Sequence, residues 1–161
     1  MTQQEILSKL TALCARAEYC SHEMRQKMRK WGADAATEEA VLAYLVKEKY
    51  IDDSRYARLF VKDRIQSNKW GRRKVEQALY LKQIPKGIIR EALDEVPDEV
   101  YLAILRPLLK SKRRTIKAAS DYEANGKLIR FAMGRGFTVD LIRQCLDGAD
   151  DYDTTDDGDE D

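Results

Sequence analysis

The chain has 161 residues, 43% of them hydrophobic and 35% charged, with eight Tyr, three Phe and two Trp. These proportions suit a soluble, helix-rich protein with a thin core, and no window reaches the ~18 uninterrupted apolar residues of a membrane span, so no membrane partner is expected. The formal net charge of +1 hides an asymmetry: nine of the 28 acids and none of the 29 Lys and Arg fall in residues 147–161, so residues 1–146 hold 29 basic against 19 acidic groups, a net +10. Such a body attracts polyanions, whereas the acidic tail is self-repelling and expected to be disordered. The tail reads either as a solubility extension or as an internal mimic of an acidic partner that competes for the basic body. The start, Thr2-Gln3-Gln4-Glu5, is not a basic-then-apolar leader, and Cys14, Cys20 and Cys145 are an odd set without paired spacing. A reducing, cytoplasmic location is the expectation.

Taken in chain order, residues 5–19 set Ile6, Leu10, Leu13 and Ala17 at helical spacing, with Lys9 and Arg16 off that stripe. Ser21 reads as the N-cap of a second helix with Met24 and Met28 inward, closed by Trp31 and Gly32. Thr37 reads as the cap of a third, with Glu38 and Glu39 where the helix dipole favours acids. A second group opens at Asp52 and Asp53, whose side chains can accept from free backbone N–H groups. Its first helix runs to about Ser67 with Ala57, Phe60, Val61 and Ile65 on the apolar side, and a turn at Asn68-Lys69-Trp70-Gly71 follows. The next helix carries Val75, Ala78 and Leu79, and Pro85 suits the first position of one bearing Ile88, Ile89, Ala92 and Leu93. After Pro97, a helix with Val100, Tyr101, Ile104, Leu105, Leu108 and Leu109 is expected to kink at Pro107. Gly126, Gly134 and Gly136 punctuate the next, and Thr138 reads as the cap of the last.

No segment alternates apolar and polar residues in the manner of a strand, so the fold is expected to be all-α. Three tandem three-helix modules are expected at 5–50, 51–96 and 97–146, about nine helices in all, ahead of the tail at 147–161. The hydrophobic pattern itself repeats: Met24, Met28 and Ala33 match Val75, Leu79 and Ile84, then Leu128, Ala132 and Phe137. The copies are offset by 51 and 53 positions, in the range of repeat architectures. Ile84, Ile89 and Leu93 also match Phe137, Ile142 and Leu146, while the first copy reaches Val41 and Leu45 only with three inserted residues. Stacked modules of this kind imply an elongated, curved body, right-handed or solenoid-like.

The run Tyr50-Ile51-Asp52-Asp53-Ser54-Arg55-Tyr56-Ala57-Arg58-Leu59-Phe60, with Lys69-Trp70-Gly71 and residues 84–93, resembles the central module of the RecX family, regulators of the RecA recombinase. Cys20-Ser21-His22-Glu23-Met24 through Trp31-Gly32, and Lys127-Leu128-Ile129-Arg130-Phe131 through Arg135-Gly136-Phe137, support the likeness, which covers about residues 5–146. Its most specific element is the paired acid Asp52-Asp53 followed by a basic residue, an aromatic and Ala57. This chain departs from the family pattern at Gln83, where a glycine usually precedes the apolar anchor, and that bears on the geometry of the turn. The resemblance implies a non-catalytic inhibitor lying along the groove of a RecA filament on single-stranded DNA. It would restrain strand exchange, ATP hydrolysis and co-protease activity, with consequences for DNA repair and the SOS response. The expected partners are the RecA filament and single- or double-stranded DNA, and the chain is expected to act as a monomer.

Two basic clusters are the main candidate contacts with the filament or DNA. Arg72, Arg73 and Lys74 stand in the first turn of a helix, where the dipole disfavours cations by about 0.3–1 kcal/mol, so a phosphate or carboxylate met by free N–H groups there would offset the cost. Lys110, Lys112, Arg113, Arg114 and Lys117 put five cations in eight positions. Arg25 and Lys30 decorate the Met24 helix. Each set also reads as a solvated face. Tyr56 and Trp70 read as packing residues or as stacking platforms for bases, and Asp52 and Asp53 as caps rather than metal ligands. No catalytic residue, metal or cofactor is expected, since His22 is the single histidine and Cys14, Cys20 and His22 lack a fourth ligand. The alternative function is a free-standing DNA-binding protein, non-specific or of helix-turn-helix type. Its recognition helix would be the one near Ile88, which offers outward only Arg90, Glu91 and Asp94.

Overall fold

A computed structural model describes residues 1–146, and among them the chain forms nine α-helices and no strand. The tail at 147–161 lies outside the described residues. Two compact units interleave along the sequence, one drawn from Met1–Leu59 and Ala78–Ala92, the other from Phe60–Gln77 and 93 onward.

The first unit contains α1 (Gln3–Cys14), α2 (Ser21–Lys30) and α3 (Ala35–Lys47), the opening turns of α4 (Asp53–Asn68), the end of α5 (Arg72–Leu81) and most of α6 (Lys86–Asp94). Both α1 and α2 pack on α3. Ile6 and Leu10, Met24 and Met28, and Val41, Leu42 and Leu45 meet with Ile51 in one buried cluster, against which Leu13, Tyr19 and Trp31 lean. The helical spacing seen in the sequence is thus the face that leaves water, worth about 1.5–3 kcal/mol of gross transfer energy per large side chain.

The helix boundaries of the first unit differ from the sequence reading at one end and two starts. Helix α1 stops at Cys14 and leaves Ala17 exposed. The N-cap of α2 is Cys20 rather than Ser21, with the Glu23 carboxylate accepting from the Cys20 N–H at 3.0 Å. Asp34, not Thr37, caps α3, its Oδ1 accepting from the Thr37 N–H at 2.8 Å. Asp and Thr both cap well, and here the charged acceptor sits one turn earlier.

The second unit holds the rest of α4 and α5 with α7 (Asp98–Arg113), α8 (Asp121–Gly134) and α9 (Val139–Gln144), the last three packed on one another. Its buried residues include Tyr101, Leu105, Leu109, Leu128, Ile129, Ala132, Phe137 and Ile142. Pro107 lies inside α7, which continues as one helix to Arg113.

The threefold pattern has a backbone counterpart. Gly32, Gln83 and Gly136, offset by the same 51 and 53 positions, all have positive φ, at 81°, 57° and 94°. Each is followed by the third anchor of its copy, and each stop carries the same hydrogen bonds. Gly32 donates to Arg29 and Ala33 to Met28; Gln83 donates to Tyr80 and Ile84 to Leu79; Gly136 donates to Met133 and Phe137 to Ala132. This is the left-handed helix stop that turns the last carbonyls inward and brings an apolar residue back over the helix end. Gln83 makes the turn without glycine, so the departure from the family pattern changes its cost and not its geometry.

Candidate functional site

The paired-acid motif organises the first unit from within. The Asp52 carboxylate accepts from the Arg55 N–H at 3.1 Å and so caps its own helix, α4. Asp53 instead accepts at 2.8 Å from the Ser21 N–H, capping α2 from 32 residues away. The Arg55 guanidinium donates to Glu18 at 2.9 Å and to the Lys49 and Tyr50 carbonyls past the end of α3. Tyr56 is buried with its hydroxyl 3.4 Å from Glu23, and Ala57 is fully buried. Glu23 also takes the Lys82 ammonium at 2.9 Å, and hydrogen bonds from Lys82 and the Cys20 N–H outweigh burial to hold its carboxyl below the ordinary range. Every element of the motif is thereby spent on capping and packing, which leaves the outer surface to other residues.

At the start of α5, in the second unit, the polypeptide is clamped by glycines. The Gly71 N–H donates to the Arg135 carbonyl at 2.8 Å, and the Arg73 N–H to the Gly136 carbonyl at 3.0 Å. A Cβ at Gly71 would lie 2.3 Å from the Phe137 nitrogen, and one at Gly136 2.4 Å from the Lys74 Cβ. The N–H of Arg73, on which the sequence reading would place a phosphate, is therefore already taken by a carbonyl. Arg72 donates to Asp94 at 2.7 Å, an acid 22 positions away that answers the expected need for an offsetting charge. Trp70 is half-buried between two cations, the Arg64 guanidinium 5.8 Å and the Lys74 ammonium 4.9 Å from its ring centroid. Arg73 remains exposed.

The second cluster lies at the end of α7. Lys110, Lys112 and Arg113 occupy its last turn and Arg114 is the C-cap, where the dipole favours cations, so repulsion along the sequence is partly offset. The helix also separates residues that are adjacent in sequence. Lys112 sits over the Phe131 ring at 4.9 Å, with Arg135 against the same ring at 5.2 Å. Arg113 donates to the buried Asn125 at 2.6 Å. Lys110, Arg114 and Lys117 are exposed. Arg106 joins Lys110 and Arg113 on one face, a member that linear counting misses and that i, i+4, i+7 spacing would have found.

Of the two outlying candidates, Arg25 is engaged with Glu38 at 2.9 Å and Glu39 at 3.0 Å, while Lys30 is exposed. Glu38 also accepts from Arg29, and Arg29 and Arg25 together hold its carboxyl below the ordinary range against the effect of burial. Asp94 being paired with Arg72 further thins the outward face of α6 as a reader of bases. Among the described residues, no group of three or more His, Cys, Asp or Glu is placed to hold a metal ion, and no helix is long and apolar enough to cross a membrane.

Comparison with known proteins bears on both halves of the molecule. The model of the second three-helix domain of RecX matches residues 52–93, and that of the third three-helix domain matches residues 99–146. Regulatory protein RecX of Vibrio campbellii is 30% identical over 139 residues, which span 86% of this chain and 88% of that protein. Among solved structures, a crystal structure of regulatory protein RecX superposes with a TM-score of 0.82 at 20% identity, covering 89% of this chain and 70% of the other. The crystal structure of RecX from Lactobacillus salivarius gives 0.77 at 18% identity, covering 91% and 98%. Two consecutive domain matches and a 30% identical relative aligned over most of its length establish that the chain belongs to the RecX family.

Proposed function

We propose that this chain is a regulator that binds the RecA filament assembled on single-stranded DNA and restrains its ATPase, strand-exchange and co-protease activities. Membership of a family whose curated relatives are named regulatory proteins carries the reading. The net +10 over residues 1–146 supports contact with a polyanionic filament. Within that reading the contacts fall to the exposed cations Arg73, Lys110, Arg114 and Lys117, with Lys30 as an outlying one. Arg25 and Arg72 instead serve the fold through their acid partners.

The test is the single-stranded-DNA-dependent ATPase of the RecA from the same organism. Added well below one copy per recombinase, the chain is expected to lower the rate. The double variant Arg114→Glu, Lys117→Glu alters only exposed side chains and is expected to need roughly tenfold more protein for half inhibition, about 1.4 kcal/mol. No inhibition by the unaltered chain refutes the function. Equal inhibition by the variant removes the α7 end from the interface.

A further inference from the structure

Helix α7 carries Arg106, Lys110 and Arg113 at i, i+4, i+7 spacing, so one face of the helix walls a cleft of about 390 Å³ with three cations. Asn125 of α8 lines another side, Leu109 and Leu146 supply apolar wall, and Asp121 is the one acid. Three cations against one carboxylate leave the cleft at +2. All of these residues belong to the second unit.

The two arginines are held by neutral groups of the fold. Arg113 commits Nη2 to the Asn125 side-chain oxygen at 2.6 Å, and Asn125 is only 3% exposed. Arg106 commits Nη1 to the Gln144 carbonyl at 3.5 Å, with the Cys145 sulfur 3.8 Å away. A guanidinium has five N–H donors, so each arginine keeps further donors, and neither loses its charge to an amide or a carbonyl. Arg25, Arg55, Arg64 and Arg72 differ in that each faces a carboxylate. Arginines that are positioned but not neutralised are the arrangement that recognises an oxyanion.

Charge and volume select the anion. A phosphomonoester has its second pKa near 6, so at neutral pH it brings about −1.5 to −2 charges and three terminal oxygens. A phosphodiester brings a single charge and two free oxygens, and so matches the cleft less well. The volume lies at the lower end of the range for small-ligand pockets. Leu109 and Leu146 give a sugar or base an apolar surface beside the cations.

We infer that this cleft binds the terminal phosphate of a nucleotide, free or at the end of a nucleic acid, through Arg106, Lys110 and Arg113. The site stands apart from the filament reading, since its chemistry needs no recombinase.

Cys145, on the cleft wall, reports on occupancy, and the equally half-buried Cys14 of the first unit is the internal reference. The native full chain is alkylated with neutral iodoacetamide and its peptides are quantified by mass spectrometry. Saturating AMP is expected to slow alkylation of Cys145 about fivefold or more by covering it, and to leave Cys14 unchanged. Adenosine is expected to have no effect, and cyclic AMP, a monoanionic diester, to need about tenfold more for the same protection. Lys110→Gln changes an exposed side chain and is expected to raise the AMP needed for half protection about fivefold, the loss of one exposed ion pair. Oligo(dT) with a 5′-phosphate or a 5′-hydroxyl separates the sources: protection by the phosphorylated strand at lower concentration than AMP assigns a nucleic-acid end, and the reverse order assigns a free nucleotide. The inference is overturned by no protection from AMP or the phosphorylated strand, by equal protection from cyclic AMP or the hydroxyl strand, or by an unaltered response of Lys110→Gln.

Discussion

The three matching helix stops form a natural series in which one backbone geometry meets three different surroundings. At Gln83, φ is 57° and the side chain is exposed. A left-handed conformation costs a non-glycine residue about 1–2 kcal/mol, while glycine loses about 0.4–1 kcal/mol more backbone entropy on folding, so Gln83→Gly is expected to stabilise by about 0.5–1 kcal/mol. At Gly32, φ is 81° and an added Cβ would meet nothing within 4 Å, so Gly32→Ala is left with backbone strain alone, about 1 kcal/mol destabilising. At Gly136 the strain at φ 94° coincides with a Cβ only 2.4 Å from the Lys74 Cβ and 2.5 Å from its backbone nitrogen. Relief there requires α5 to move, and Gly136→Ala is expected to cost about 3 kcal/mol or more, backbone strain of about 1 kcal/mol adding to the roughly 1–3 kcal/mol of an overpacked core. Urea unfolding followed by circular dichroism gives each value, and the slope checks that the transition is unchanged. A destabilised Gln83→Gly, or three variants agreeing within about 0.3 kcal/mol, would refute the assignment of one stop geometry to all three positions.

Other consequences are open to simple measurement. Asp53→Ala and Asp52→Ala each remove one helix cap, expected to cost about 1 kcal/mol apiece in urea unfolding; because the caps serve α2 and α4 separately, a double-mutant cycle should show coupling below about 0.5 kcal/mol. Glu23 and Glu38 both have folded-state pKa values depressed below 4.5. Their stabilisation is therefore present above the unfolded value and lost as pH falls through the lower, folded one, and Glu38→Gln should flatten the decline of melting temperature on the acid side of that range. Burial pushes the Cys20 thiol up to about 11, with the Glu23 backbone N–H acting against it. At pH 8 a disulfide reagent should therefore label the half-buried Cys14 and Cys145 first and reach Cys20 only on unfolding; rapid labelling of Cys20 in the native chain would contradict its buried placement.

What could be read from the chain alone was what depends on near neighbours. Met24, Met28, Val75, Leu79, Leu128 and Ala132 are all fully buried, because helical period and burial are one constraint expressed twice. The interior role of the Asp52-Asp53 motif was legible only in part: that Asp53 would cap α2 rather than α4 depends on a contact spanning 32 positions. Separations of 22 and 64 positions likewise hid the partner of Arg72 and the glycine clamp on α5, which no local pattern encodes. Arg106 is hidden for another reason, since cations that cluster along the sequence are not those that share a helix face.

The glycine clamp also bears on how the chain is made. The carbonyls of Arg135 and Gly136 that receive the Gly71 and Arg73 N–H groups emerge from the ribosome some 64 residues after Gly71. At about 5–20 residues per second this is a delay of roughly 3–13 s, during which Val61, Ile65 and Val75 lack the rest of their unit. The first unit, whose last segment ends at Ala92, is complete well before then. Synthesis therefore finishes the two units in sequence, and a nascent chain stalled between residues 92 and 135 would present one finished body trailing an apolar segment that chaperones recognise.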